Sequence, residues 1–324
     1  MNKIKNILHP RGKFIHGGWD NVCSIFDEHK NGTFNLDTFF ESNFGWMHVP
    51  SIIPQKCQEY PKENFVAFIH NPFYSYKFNH LLSNPILQPY PEPMLELINQ
   101  HCRGLFFMSA HERDIFDSYF QSNGLNVACS TLYHPLQNLS VNFSWDKFMQ
   151  NKNKLIIQSG MHLRKPSSVA ILSTLIKGTN RSAAIVPWIQ KNQTNLNIEL
   201  KQKTELIDLN NLVKIAQLSF LDYIKLYENN IFFLDAHDIS ACNLVLDCIS
   251  TNAPIILNRL PANEEYLGKD YPLFFNSLQE ASIMCTDNNL ILKAHEYLVA
   301  MDKSHLSLSS FKCNFINSDI YQSL

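Results

Sequence analysis

Glycine is scarce in this chain, 10 residues in 324, and no low-complexity linker or fixed-period repeat interrupts it. Without such segments the chain reads as continuous folded structure. An excess of charge is missing too: 27 Lys and Arg stand against 29 Asp and Glu, a net charge of −2 at pH 7. No electrostatic footprint for nucleic acid or for an anionic membrane stands out. The longest apolar runs, such as Ala183–Trp188 and Ile231–Leu234, fall far short of the roughly 20 residues of a membrane helix, so no transmembrane segment is expected. Met1–Lys13 carries lysines without the apolar stretch of a secretory signal, and a cytoplasmic location is the expectation. The eight cysteines include no C-x-x-C pair. Buried free thiols in a reducing compartment account for them better than disulfides or zinc. Five N-x-S/T matches, Asn31–Thr33 and Asn142–Ser144 among them, are what an asparagine-rich chain produces by chance.

Several catalytic signatures are absent as well. No D-x-D triplet occurs, so a metal held on a diphosphate by paired aspartates lacks its usual ligands, and no metal site is assigned. Neither G-x-G-x-x-G nor G-x-x-x-x-G-K-[ST] is present, which argues against dehydrogenases and P-loop NTPases. There is no G-x-S-x-G elbow for an α/β-hydrolase.

What the chain does have is 45% hydrophobic residues over a length that suits two domains. Short β-rich runs (Asn64–Ile69, Gly104–Met108, Val127–Leu132, Lys154–Gln158, Ala183–Trp188, Leu206–Leu209, Ile231–Leu234, Pro254–Leu257) alternate with amphipathic stretches. The helical stretches are Glu92–His101, Ala110–Phe120, Ser167–Leu175, Leu212–Glu228, Ser240–Ser250 and Asn289–Met301. This alternation predicts βαβ units, hence an α/β protein with parallel sheets. The polar segment Trp145–Asn153 suggests a division into residues 1–150 and 151–300, each a Rossmann-like domain facing a cleft, followed by a tail, 301–324, that is free to pack back on the first domain although nothing in its residues demands it.

The most informative stretch is residues 231–275, IFFLDAHDISACNLVLDCISTNAPIILNRLPANEEYLGKDYPLFF. A strand ends at Leu234, an acidic loop with Asp235, His237 and Asp238 follows, and Ser240 is the expected N-cap of a helix running to about Ser250. On a helical wheel Ala241, Leu244, Val245, Cys248 and Ile249 form one apolar arc, while Asn243 and Asp247 share the other side. Such a helix start offers free N–H groups to an anion, and a carboxylate one or two turns later can accept hydrogen bonds from a ribose diol. Earlier, Leu155–Ile157 runs into Gly160, then Arg164 and Lys165, then a helix. Two cations beside a helix start can neutralise a diphosphate. Toward the N-terminus, Gly17 and Gly18 sit beside His16, Trp19 and Asp20, allowing close approach of backbone to a ligand. The strand of Phe65–Ile69 ends in His70, at the carboxyl edge where α/β sheets bind ligands.

In this order the acidic loop, S-A-x-N, L-x-L-D-C-I, T-N-A-P-I-I-L-N, L-P-A-x-x-E-Y-L-G and Y-P-L-F-F resemble the donor-binding half of GT-B glycosyltransferases, especially retaining ones with an E-x7-E motif. Shorter pieces, FVAFIHNPF, FFMSAHE and YHP, resemble segments of the other half, so the likeness runs from about residue 14 to 275. The resemblance implies two Rossmann-like domains and transfer of a sugar from a nucleotide-sugar donor to a carbohydrate or glycan acceptor, without a metal or other cofactor. It implies Asp247 on the ribose and Asp238, one residue farther away and Asp in place of Glu, near the donor sugar. Arg164, Lys165, Asn243 and the amides near Ser240 and Ala241 would then hold the diphosphate, with Gly17, Gly18 and Gly160 also lining the donor. His70 would face the sugar or acceptor. An inverting reaction would instead need a base, for which Asp20, His16 and His70 are candidates. A nucleotide-sugar epimerase of the same fold and a non-catalytic binding protein are the alternatives.

Overall fold

The computed structural model describes residues 2–8, 18–43, 53–74, 90–160, 163–186, 211–216 and 218–324. The chain divides into two compact units. One comprises Met1–Pro135, Ile239–Ala241 and Lys303–Leu324, the other Leu136–Asp238 and Cys242–Asp302. The polar helix Trp145–Gln150 therefore belongs to the second unit.

The first unit holds a parallel sheet of β1 (Ile4–Leu8), β2 (Phe34–Asp37), β3 (Phe65–Ile69), β4 (Cys102–Phe107) and β5 (Cys129–Thr131), lying side by side in chain order. Strands that advance in one direction through right-handed crossovers place their connecting helices on one face. Three connections do so. Ile53–Glu59, Glu92–His101 and Ala110–Ser122 supply Ile53, Met94, Leu97, Ile98, Phe116 and Phe120 to a core that also takes Ala67, Ile69, Leu105 and Phe107 from the sheet. The alternate residues Val66, Phe68, Phe106 and Met108 point to the other face. A parallel sheet has to be covered on both sides, and here the cover comes from Trp19–Cys23 and from the far end of the chain. Helices Leu308–Asn317 and Asp319–Ser323 lay Phe311, Phe315, Ile320 and Tyr321 on that face. Lys3 Nζ donates to the carbonyls of Tyr321 (3.0 Å) and Gln322 (3.2 Å).

The second sheet is also parallel, in the order β11-β10-β9-β6-β7-β8: β6 is Lys154–Ser159, β7 Arg181–Val186, β8 Val213–Lys214, β9 Ile231–Leu234, β10 Ile255–Asn258 and β11 Phe274–Phe275. From β6 the chain winds outward through β7 and β8, then returns to β9 on the other side of β6 and winds the opposite way. The reversal leaves a crevice at the carboxyl ends of β6 and β9, the place where doubly wound sheets take ligands.

Three expectations need correction. The stretch Leu212–Glu228 is not one helix. It begins as the edge strand β8, and a helix starts only at Phe220, where Ser219 Oγ accepts from the amide of Asp222. The strand expected over Ala183–Trp188 starts earlier, at Arg181, whose guanidinium donates to the Cys285 carbonyl at 3.0 Å and lies 4.8 Å from the Phe148 ring centre. Residues 187–188 and the strand expected at Leu206–Leu209 lie outside the described residues. Three strands, β1, β2 and β11, were not expected at all.

Gly104, in the middle of β4, lets Ile320 rest on bare backbone: a Cβ there would stand 2.5 Å from Ile320 Cγ2. Gly104→Ala is therefore expected to destabilise the protein by about 1–3 kcal/mol through overpacking. Ile320→Ala should cost less in that background than alone, because the shortened side chain makes room for the methyl group. Urea unfolding of the two single variants and the double variant measures this, and additive losses would contradict the contact.

Candidate active site

The crevice of the second sheet is built from two loops zipped together. β6 ends at Ser159, and Gly160 turns the chain with φ +79°. A Cβ at Gly160 would stand 2.8 Å from Arg164 Cζ, so the guanidinium lies directly on the bare glycine. Arg164 forms an antiparallel bridge with Ala236, the loop after β9. The His237 amide donates to Leu163 O (2.8 Å) and the Lys165 amide to Asp235 O (2.8 Å). Asn258, the last residue of β10, clasps the same loop twice: its Oδ1 accepts from the Ala236 amide (3.0 Å) and its Nδ2 donates to Ala236 O (2.9 Å).

Side chains complete the joint. Asp235, buried at the end of β9, takes Lys165 Nζ at 2.8 Å on one oxygen and Ser168 Oγ at 2.7 Å on the other. Half the basic pair read from the sequence is thus neutralised inside the protein. Arg164 instead reaches Cys242, with Nη2 3.3 Å from Sγ. Cys242 is the residue ahead of helix Asn243–Thr251, so a guanidinium and the positive end of a helix dipole meet at one point.

This corrects the helix start. The helix opens at Asn243 with Cys242 at the cap position and no side-chain cap, not at Ser240. Ser240 and Ala241 fall in the first unit, Ser240 buried and Ala241 against its core. Asn243 is exposed on the first turn. Asp247 stands a turn later, half-buried, where Oδ2 accepts from Tyr227 Oη at 3.2 Å and Tyr227 Oη in turn meets Tyr223 Oη at 2.8 Å. Burial pushes this carboxyl up to about 7, against the lowering effect of the Tyr227 hydroxyl. Asp238 closes the second unit's share of the loop.

In the first unit, Gly18 is buried and Trp19 begins a short helix, with Asp20 exposed on it. His16 and Gly17 lie outside the described residues. His70 follows β3, with Nε2 3.1 Å from Thr38 O, an acceptor it shares with Trp19 Nε1 at 2.8 Å. Its ring is 3.8 Å from that of Phe39 and edge-on to Trp19 at 4.3 Å, centre to centre. The carbonyl partner requires Nε2 to carry the hydrogen, which makes Nδ1 the acceptor of the neutral ring.

Three acids that sequence reading passed over surround this strand end. Asp37, fully buried, takes the Phe39 amide (3.0 Å), Asn43 Nδ2 (2.7 Å) and Tyr60 Oη (2.6 Å). Glu41 takes the amides of His70 (3.0 Å) and Asn71 (2.9 Å) on one oxygen. Glu112 takes the Phe73 amide at 2.6 Å. Burial raises Asp37 to about 6 and Glu41 to about 8. The available signal was two acids set among the aromatic residues of one short segment, FNLDTFFES. For Glu112 it was the S-x-x-E capping box, in which Ser109 Oγ does accept from the Glu112 amide at 3.2 Å. Among the described residues no group of three or more His, Cys, Asp and Glu is gathered as a metal site needs, and no helix is long and apolar enough to cross a membrane.

Two parallel α/β units of this kind define the GT-B fold, and solved structures bear that out. Anabaena HepE, in complex with UDP and glucose, matches with a TM-score of 0.64 at 11% identity, covering 99% of this chain and 100% of that one. The trehalose-6-phosphate synthase of Burkholderia multivorans matches at 0.61 and 9%, covering 94% and 73%. WaaG, a glycosyltransferase of lipopolysaccharide biosynthesis, matches at 0.57 and 11%, covering 97% and 100%. No family model and no curated protein sequence matches the chain.

The buried acids set the pH dependence of stability. Glu41 and Asp247 hold protons in the folded chain that they would release on unfolding at neutral pH. Stability from these groups is therefore present at low pH and lost as pH rises through about 7 and then 8. Each proton accounts for a slope of about 1.4 kcal/mol per pH unit where it is fully held. His134, which burial lowers to about 4, is neutral in the folded chain throughout that window, so its imidazole takes up protons only on unfolding at the acid end and opposes the fall there, with no effect by about pH 8. Urea midpoints should fall from about pH 6.5 to about pH 8.5, and Glu41→Gln should flatten the fall. A slope unchanged by that substitution would contradict a protonated Glu41.

Proposed function

We propose that this protein is a glycosyltransferase that moves a sugar from a nucleotide-sugar donor to a carbohydrate or glycan acceptor, without a metal and with retention of configuration. The observation that carries the reading is the meeting of Arg164 with the start of helix Asn243–Thr251 at the switch point of the second sheet. A cation and a helix dipole aimed at one spot suit a diphosphate, and they suit it most when charge builds on it as the glycosidic bond to the sugar breaks. An oxocarbenium-like transition state asks for that charge stabilisation more than for a strong nucleophile.

Asp247 is the ribose ligand in this reading. Two diol hydroxyls donate, so the carboxylate must be ionised, whereas burial holds its proton up to about pH 7. Lys165, paired with Asp235, acts by holding the loop that carries Arg164. In this reading His70 faces the sugar or the acceptor, Asp238 lies near the donor sugar, and the exposed Asp20 is a base that an inverting reaction would call on. The UDP in the HepE structure makes a uridine nucleotide the first donor to try.

Calorimetric titration with UDP and UDP-glucose tests the assignment. Arg164→Ala is expected to weaken binding by about tenfold to a hundredfold, the loss of one charged hydrogen-bond partner. Asp247→Asn should weaken it at pH 8 and remove its pH dependence, while the parent chain should bind up to about tenfold more weakly for each pH unit below 7. Unchanged affinity in both variants would remove the site. Product analysis with donor alone separates transfer from epimerisation.

A further inference from the structure

The loop that leaves β3 is held by acids rather than by a neighbouring strand. Its first two amides, His70 and Asn71, both donate to Glu41 Oε1, at 3.0 and 2.9 Å, and Phe73 donates to Glu112 Oε2 at 2.6 Å. Amides at the end of a buried strand must be paired somewhere, and a carboxyl that takes two of them sets the direction of the chain at that point. Glu41 is suited to this. It is fully buried, it belongs to the turn Phe40–Asn43 directly after β2, and β2 is hydrogen-bonded to β3. Phe39, two residues before it, lies against the His70 ring at 3.8 Å between centres with the planes tilted by 34°, and Thr38 supplies the carbonyl opposite Nε2. One turn thus grips the histidine at its backbone, its ring face and its ring nitrogen.

We propose that Glu41 is a positioning residue for His70: its doubly accepting oxygen fixes where the imidazole stands and which of its nitrogens carries the hydrogen. The proposal rests on the reading of His70 as a residue facing the sugar, and extends it to a residue that never meets substrate. The second oxygen, Oε2, is buried and finds no hydrogen-bond partner among the described residues. Burial, with a smaller contribution from the charge of Asp37, keeps the carboxyl protonated near neutrality, although the Asn71 and His70 amides pull the other way. The other ionisable groups at hand are Tyr90, whose hydroxyl burial and the Glu41 charge hold well above its ordinary value, and His70 itself. A protonated carboxyl is closely mimicked by an amide: in Glu41→Gln the carbonyl oxygen still accepts both N–H groups, and an NH2 group replaces the hydroxyl. Asp at this position is one methylene shorter and cannot reach both amides from the same backbone.

The test is nuclear magnetic resonance of the full chain with 15N-labelled histidine, in which the His70 signal among the 13 histidines is identified by its loss in His70→Gln. The parent chain should show the Nε2–H tautomer. Glu41→Gln should keep it and its ring shifts, while Glu41→Asp and Glu41→Ala should lose it or mix the tautomers. If the alanine variant does not fold, the aspartate and glutamine variants decide. His70 signals that are the same in folded Glu41→Asp as in the parent, or that change as much in Glu41→Gln as in Glu41→Asp, would overturn the proposal. Turnover of UDP-glucose forms a second arm. Glu41→Asp is expected to lower kcat at least tenfold, leave the affinity for UDP unchanged, and be rescued in Glu41→Gln. A tautomer that shifts as described while His70→Gln leaves turnover intact would uphold the positioning and refute the role of His70 in transfer, so the two failures are told apart.

Discussion

Parallel strands that end in a buried edge leave amides and carbonyls which the sheet cannot pair, and water is not there to pair them. That constraint organises both units of this protein. In the first unit the amides beyond β2 and β3 are taken by Asp37, Glu41 and Glu112. In the second, the loop beyond β9 is taken by Asn258 and by the backbone of residues 163–165, and Asp235 ties it to Lys165 and Ser168. The polar residues of the carboxyl edges are structural ties first. Chemistry is left to the groups these ties hold in place.

This explains how the basic pair divides its labour. A lysine and an arginine next to each other in sequence look equivalent, yet Lys165 meets a buried aspartate and Arg164 lies over Gly160 toward the start of a helix. A desolvated Asp235 without a cation would be costly, so the ammonium is committed to it. The planar guanidinium, with donors on several sides, touches the Cys242 sulfur through one of them. The same economy holds in the first unit, where none of the described Lys or Arg residues pairs with Glu41 and the acid is held by proton and amides instead.

The far end of the chain is a second consequence of topology. A sheet whose strands run in chain order collects its crossover helices on one side and leaves the other bare. The residues after Lys303, together with Trp19–Cys23, supply that missing layer, with Phe311 and Phe315 against Phe68 and Phe106.

Much was legible in the amino-acid order because buried parallel strands are written as continuous apolar runs. IFFL and PIILN, with the amphipathic turn of helix between them, identify β9, β10 and Asn243–Thr251 to within a few residues, and the strand–Gly–basic–helix order around Gly160 is read directly. Short strands with polar members, such as Phe34–Asp37, and a strand like Ile4–Leu8 with Lys5 and Asn6 in it, have no such signature. The helix start at Asn243 was misplaced because Ser240 has the chemistry of a cap, whereas Cys242 holds the cap position and Ser240 is buried in the first unit. What sequence determined alone is the alternation of strand and helix and the kinds of side chain at the strand ends, since hydrophobic period and local propensity are properties of neighbours along the chain. Which acid meets which amide, that Lys165 is spent on Asp235 while Arg164 is not, and that Glu41 reaches His70 across 29 residues were decided by tertiary structure, because the cost of leaving a buried polar group unpaired is set by partners brought together only in space.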